Sequence, residues 1–217
     1  MTHPTPPTLP TLAAVDLACR RGNRRLFGGV NFQIDAGQAT WLRGRNGRGK
    51  TSLLRLAAGL SVPESGHITW GGVPVREADG MAQRLLYIAH ASALKDDLSV
   101  TESLRFLARL HGRDDSISAL HAALDRVGMG ARRDALVRTL SQGQRRRATL
   151  ARLALEREAA LWILDEPYDA LDSDGIEAVN ALLTEHLARG GSVLLTSHQA
   201  AGASAPPMAA FDLDAFA

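Results

Sequence analysis

Cysteine, lysine and aromatic residues are scarce in this chain. Cys19 is its only cysteine, which rules out an intramolecular disulfide and a cysteine-rich metal framework and leaves Cys19 to act as a small hydrophobe near a strand. Aromatic residues make up 5% of the chain, and the lysines are two, Lys50 and Lys95. No stretch approaches the roughly 18 consecutive apolar residues that suggest a membrane-spanning helix. The opening Met1-Thr2-His3-Pro4-Thr5-Pro6-Pro7 carries neither a basic stretch nor an apolar run, so no secretory signal is expected. With 25 basic residues against 23 acidic ones, there is no polybasic footprint and no nucleic-acid partner is expected. What remains is 217 residues at 45% hydrophobic content, enough for one main domain with a small subdomain and a substantial core.

One of the two lysines sits in the run Gly44-Arg45-Asn46-Gly47-Arg48-Gly49-Lys50-Thr51, which fits the phosphate-loop spacing G-x-x-x-x-G-K-[ST]. Ala39 to Leu42 reads as a strand entering the loop, and Leu53, Leu54, Leu56 and Ala57 give helical spacing that stops at Gly59. Glycines let successive N–H groups turn inward as an anion nest, reinforced by the positive end of the following helix. Gly44, Asn46, Gly47, Gly49, Lys50, Thr51 and Ser52 are therefore expected to cradle a nucleotide. Lys50 would reach the β- and γ-phosphates, and the Thr51 hydroxyl would ligate Mg²⁺. Downstream, the apolar run Ala159 to Leu164 opens onto Asp165-Glu166-Pro167. Asp165 is expected to hold the metal opposite Thr51, and Glu166 to orient and deprotonate a water. An acidic pair before a proline also suits a plain helix start.

Leu140-Ser141-Gln142-Gly143-Gln144, running into Arg145-Arg146-Arg147 and a helical pattern through Leu150 and Leu153, resembles the signature motif of ABC-type ATPases, with Gln142 in place of the first glycine. A serine and a glycine at a helix start form another anion site, and an ordinary N-cap is the alternative for Ser141. The resemblance implies that Ser141, Gly143 and Gln144 bind the γ-phosphate of ATP held by a second copy, so that a head-to-tail, ATP-dependent homodimer is required. Arg145 to Arg147 are expected on a solvated face or as an acidic partner's landing site. Ala170-Leu171-Asp172 resembles the D-loop, and Val193 to His198 the last core strand, with His198 as the switch histidine contacting the γ-phosphate. The resemblance spans roughly residues 11 to 200. It implies an α/β, P-loop NTPase core of the ABC type with an antiparallel β-subdomain and a helical subdomain at about 91–155.

Finer features are similar to the haem-export ATPases of cytochrome c biogenesis, the CcmA family: Leu161 to Pro167, Leu85 to His90 with Leu94, Lys95 and Leu98, and the hairpin Ile68 to Gly72. This implies ATP hydrolysis with Mg²⁺, coupled to haem export or haem-chaperone release. It also implies integral membrane permeases like CcmB and CcmC as partners, with the chain peripheral on the cytoplasmic face of a bacterial inner membrane. An exporter ATPase for another cargo, or a soluble ABC clamp without a membrane subunit, is the alternative. Two positions depart from the wider family. His90 stands where a glutamine usually contacts metal and water, and a neutral imidazole nitrogen can replace that amide as acceptor. Arg21 stands where an aromatic usually stacks on adenine; its guanidinium plane can stack on a base, or it is plain surface.

Residues 1–10 are Pro/Thr-rich and expected to be flexible, and 201–217 form an Ala-rich tail broken by Pro206-Pro207; both are expected to be dispensable for chemistry. Leu12 to Leu17, Val30 to Ile34 and Ile68 to Val75 suggest the antiparallel strands. Ser99 and Glu102 predict a capping box, with Leu104, Phe106, Leu107 and Leu110 as an apolar stripe ending at Gly112. A further helix is expected from Ile117 to Val127. No internal repeat or coiled coil is evident, and Lys50 and Ser141 lie too close in sequence to enclose a long one, unlike the arrangement in DNA-repair ABC proteins.

Overall fold

The computed structural model describes residues 9–216, so the flexible start expected over 1–10 lies outside the described residues up to position 8. Its last part does not belong with it, because Leu9 is buried beside Leu12 and Trp70. The chain then runs β1 (Leu12–Arg21), β2 (Arg24–Ile34), β3 (Ala39–Arg43), α1 (Lys50–Ala57), β4 (Ser65–Trp70), β5 (Val73–Pro74) and β6 (Leu85–Ile88). It continues through α2 (Val100–Leu110), α3 (Ile117–Arg126), α4 (Gln142–Ala154), β7 (Leu161–Leu164), α5 (Ser173–Ala188), β8 (Ser192–Thr196) and β9 (Ala209–Asp212), closing on a short 3₁₀ turn at Leu213–Phe216.

Two sheets result. One is antiparallel, in the order β2-β1-β4-β5; the other, β6-β7-β8-β3-β9, is parallel throughout. All four residues of β7 are buried, as expected for a central strand covered on both faces. Its alternation divides the core. Leu161 and Ile163 face Leu53, Leu54 and Leu56 of α1 and Leu12, Phe27 and Val30 of the antiparallel sheet. Trp162 and Leu164 face the helical side, in one cluster with Leu104, Leu124 and Leu150. The carboxyl ends of β3, β6, β7 and β8 therefore share one edge, where open parallel sheets place ligands.

The helical segment carries its predicted cap: Ser99 Oγ accepts from the Glu102 N–H at 3.2 Å, and Glu102 Oε2 accepts from the Ser99 N–H at 2.8 Å. The stripe behind it needs correction. Phe106 and Leu110 are 48% and 66% exposed, and the buried face is instead Val100, Leu104, Leu107 and Ala108, the positions that repeat at one and two turns. The tail also departs from expectation. Rather than ending the domain near 200, the chain adds β9 parallel to β3, with Trp41 opposite Ala210. Leu213 is fully buried, and Phe211 stacks on Phe216 with centroids 5.4 Å apart. Three apolar side chains give this Ala-rich stretch a reason to fold onto the sheet edge.

Candidate functional site

Between β3 and α1 the backbone turns through Gly44 (φ +141°), Gly47 (φ +76°) and Gly49 (φ +104°). Gly49 has a second constraint: a Cβ there would lie 3.0 Å from that of Leu26 and 3.1 Å from the Phe27 ring, so the loop is pressed against β2 and any side chain would push it away. No side chain caps α1, and its first turn holds no acidic residue. Its leading N–H groups and the positive end of its dipole thus remain available to an anion. The Lys50 ammonium lies across the loop, donating to the carbonyls of Gly44 at 2.8 Å and Arg45 at 3.3 Å. Asn46 is exposed, and Ser52 lies on the first turn, half-buried, beside the Cys19 thiol. Burial raises the pKa of that thiol, in keeping with Cys19 acting as a hydrophobe.

Opposite the loop, β7 delivers its two carboxylates into different surroundings. Asp165 is buried and accepts from two hydroxyls, Thr51 Oγ1 on Oδ2 at 2.8 Å and Thr196 Oγ1 on Oδ1 at 2.9 Å. Glu166, whose side chain is only 15% exposed, has a left-handed backbone, φ +52°, a conformation costing a non-glycine residue on the order of 1–3 kcal/mol. Its surroundings hold it there: the Glu166 N–H donates to Thr196 Oγ1 at 2.9 Å, and its carbonyl accepts from Arg146 at 2.7 Å. The carboxylate accepts the His198 N–H on Oε2 at 2.8 Å, and His198 Nε2 lies 3.5 Å from Oε1.

A cleft of about 700 Å³ is lined by Lys50, Thr51, Tyr87, His90, Asp165, Glu166 and His198. Residues far apart in sequence thus meet at the sheet's carboxyl edge. Burial and the Asp165 charge both raise the pKa of the Tyr87 phenol, leaving a neutral hydroxyl in the cleft wall. His90 is exposed on the loop after β6, facing the same space. A neighbouring cleft on the other side of Lys50 includes Trp41, Arg43, Asp212 and Asp214. There the tail reaches the phosphate loop, where Asp214 Oδ2 accepts the Arg45 N–H at 3.1 Å and Oδ1 accepts Arg48 Nε at 3.0 Å.

Ser141, Gly143 and Gln144 line neither cleft. Ser141 caps α4 in a reciprocal box, accepting the Gln144 N–H on Oγ at 3.2 Å while its own N–H donates to Gln144 Oε1 at 3.1 Å. A Cβ at Gly143 would stand 2.6 Å from the Ala170 carbonyl oxygen, so glycine lets the signature turn pack against the D-loop backbone. Asp172 beyond it pairs with Arg147 and caps α5 by accepting the Gly175 N–H at 3.0 Å. Arg21 is exposed at the β1–β2 turn, opposite Arg24, and lines neither cleft.

The expectation of a solvated Arg145–Arg147 face is corrected at its middle residue: Arg146 is 7% exposed. It stands one turn before Leu150 and two before Leu153, a buried-face position that the spacing itself could have revealed. Thr196 and Asp214 carry no motif signal in the sequence. The first lay in a recognised strand, and the second between two apolar residues of the tail, Leu213 and Phe216, that signal packing.

A family model described as ABC transporter matches residues 27–169. The chain is 45% identical over 192 residues to the cytochrome c biogenesis ATP-binding export protein CcmA of Nitrosospira multiformis, covering 88% of this chain and 93% of that protein. To the protein of the same name from Xanthomonas axonopodis pv. citri it is 46% identical over 208 residues, covering 96% and 95%. Among solved structures, a putative ABC transporter (ATP-binding protein) from Pyrococcus furiosus superposes with a TM-score of 0.80 at 25% identity, covering 95% of this chain and 98% of that one.

Proposed function

Because this chain belongs to the ABC transporter family of ATP-binding proteins, we propose that it is the ATP-hydrolysing subunit of a membrane complex for cytochrome c biogenesis, powering haem export or haem release from a carrier. The observation that carries the enzymatic part is the convergence of Lys50, Thr51, Asp165, Glu166 and His198 on one cleft beside an uncapped helix start. The 42% to 46% identity to relatives called cytochrome c biogenesis export proteins supports the cargo system.

The nucleotide phosphates lie on the α1 N-terminus with Lys50 against the β- and γ-phosphates. Thr51 and Asp165 offer two hard oxygen ligands, and among the described residues no group of three His, Cys, Asp or Glu side chains is placed to hold a metal. That donor set would suit Mg²⁺, a hard cation that takes oxygen ligands, and the ion would neutralise charge on the phosphates. Glu166 takes a proton from water as its oxygen attacks the γ-phosphorus, and ADP leaves. His198, held by its backbone to Glu166, reaches the γ-phosphate.

Ser141, Gly143 and Gln144 complete the site of a second copy, in a head-to-tail homodimer that closes on ATP. Their absence from the cleft of their own chain supports this arrangement. No described helix is long and apolar enough to cross a membrane, and the subunit would sit on the cytoplasmic face of the inner membrane against permeases of the CcmB and CcmC kind. In a bacterium deleted for its own relative of this chain, the wild-type chain should restore haem-loaded periplasmic cytochrome c, and Glu166→Gln should not. Cytochrome c levels indifferent to the chain would refute the cargo; rescue by Glu166→Gln would refute the need for hydrolysis.

A further inference from the structure

An arginine withdrawn from water must replace its hydration with protein acceptors for a planar set of N–H donors. Arg146 does so almost wholly with backbone. Nη1 donates to the Ala89 carbonyl at 3.1 Å, and Nη2 donates to those of Asp165 and Glu166, both at 2.7 Å. Nε points at the Pro167 carbonyl at 3.4 Å. These acceptors come from two segments: the loop after β6 that carries His90, and the turn after β7 that carries Glu166. Burial lowers the Arg146 pKa, and the nearby charges of Asp169, Asp165 and Glu166 oppose that shift.

The neighbouring arginines make different ties. Arg145 pairs with Asp96 and donates to the Val137 carbonyl, within the helical segment. Arg147 reaches Val127 and Asp172. Of the three, only Arg146 touches the segment bearing Glu166, whose left-handed backbone needs an outside hold on its carbonyl.

We propose that Arg146 is a positioning residue for hydrolysis: its guanidinium fixes the Glu166 turn and the His90 loop to α4, so that the signature helix sets where the base stands against the attacking water. This rests on the reading of Glu166 as the base. A lysine keeps the charge but lacks the planar fork that reaches these carbonyls together.

The test compares Arg146→Gln and Arg146→Lys with Arg145→Gln in purified protein, reading kcat and KM for ATP alongside thermal unfolding. Misplacing a catalytic group by an ångström costs about 10²-fold. Both Arg146 variants should therefore lose roughly 10- to 100-fold in kcat with KM unchanged, while Arg145→Gln keeps its turnover. On a Glu166→Gln background, Arg146→Gln should lower the residual rate no further, as expected of residues acting through one another. A folded Arg146 variant with wild-type kcat, a loss confined to KM, or a fully additive double variant would overturn the proposal. If Arg146→Gln does not fold, Arg146→Lys is read by the same criteria; failure of both to fold would make Arg146 a core residue and end the proposal. Wild-type turnover in Glu166→Gln alone would instead defeat the assignment of the base.

Discussion

The Thr51 hydroxyl donates to Asp165 Oδ2 at 2.8 Å, joining the first turn after the phosphate loop to the end of the central strand. A hydrogen bond to a charged group contributes about 1.5–3 kcal/mol, so the bond fixes the spacing between the two proposed Mg²⁺ ligands as well as the loop. Thr51→Val, which keeps the shape and removes the oxygen, should weaken Mg²⁺-dependent ATP binding by about tenfold, the equivalent of 1.4 kcal/mol. Binding without Mg²⁺ should change far less. Titrating ATP with and without the ion distinguishes the two, and an equal effect in both conditions would argue against the metal role.

The C-terminal strand makes a second prediction. Asp214 holds the Arg45 N–H and the Arg48 side chain, so the tail braces the outer side of the phosphate loop. Asp214→Asn, or truncation before β9, should raise KM for ATP by about 3- to 10-fold, as expected for one or two lost polar contacts. Truncation should also lower the melting temperature by exposing the sheet edge and the Leu213 site. Unchanged KM in both variants would return the tail to the dispensable role its composition suggests.

His186 predicts an acid sensitivity remote from the nucleotide. Its ring stacks on Trp162 with centroids 3.6 Å apart, and Nε2 donates to the Ala160 carbonyl at 2.8 Å. Burial drives its pKa down from 6.5 to about 4. The native state therefore holds the neutral ring, and the contribution is intact above pH 6.5. It is lost as pH falls toward about 4, because the unfolded chain takes up the proton first. A displacement of that size corresponds to about 3 kcal/mol. His186→Gln cannot titrate there, so its melting temperature should decline less steeply than that of the wild type between pH 7 and 5. Parallel declines would leave acid lability to the carboxylates.

The parts of the fold and of the site differ in how far the sequence exposes them. The phosphate loop is legible because glycine spacing, a strand and a helix coincide over a few residues, and the α/β class follows from it. Asp165 and Glu166 are legible because a continuous apolar strand ends on them. The sequence does not reveal that Thr196 bridges the two, since a threonine closing a strand carries no distinctive signal until the strands are paired. Arg146 was concealed by its company, as a triplet of arginines reads as surface when charge outweighs helical phase. Asp214 was concealed by an alanine-rich context, although Phe211, Leu213 and Phe216 mark a segment with something to bury. Phe106 and Leu110 show the reverse error, apolar residues at helical spacing that the packing leaves outside.

The proposed composite site predicts behaviour in solution. Ser141→Arg places a long cation at the start of α4, where the residue is exposed. It should prevent ATP-dependent dimerisation while leaving the monomer folded. Wild-type turnover per subunit should rise with protein concentration. Light scattering with ATP and a dilution series of ATPase rates provide the check; strictly linear turnover together with full activity in Ser141→Arg would contradict a shared site.

Steady-state hydrolysis by Glu166→Gln tests the central claim most directly. The substitution keeps the size of the side chain and removes its capacity as a base, a loss worth about 10² to 10⁴ in rate. The turn held by Thr196, Arg146 and His198 contributes no part of the phosphate loop, so ATP binding should persist. The account predicts a variant that binds ATP, accumulates as a closed dimer and hydrolyses at least about a hundredfold more slowly than the wild type. Retention of most of the wild-type turnover would contradict it.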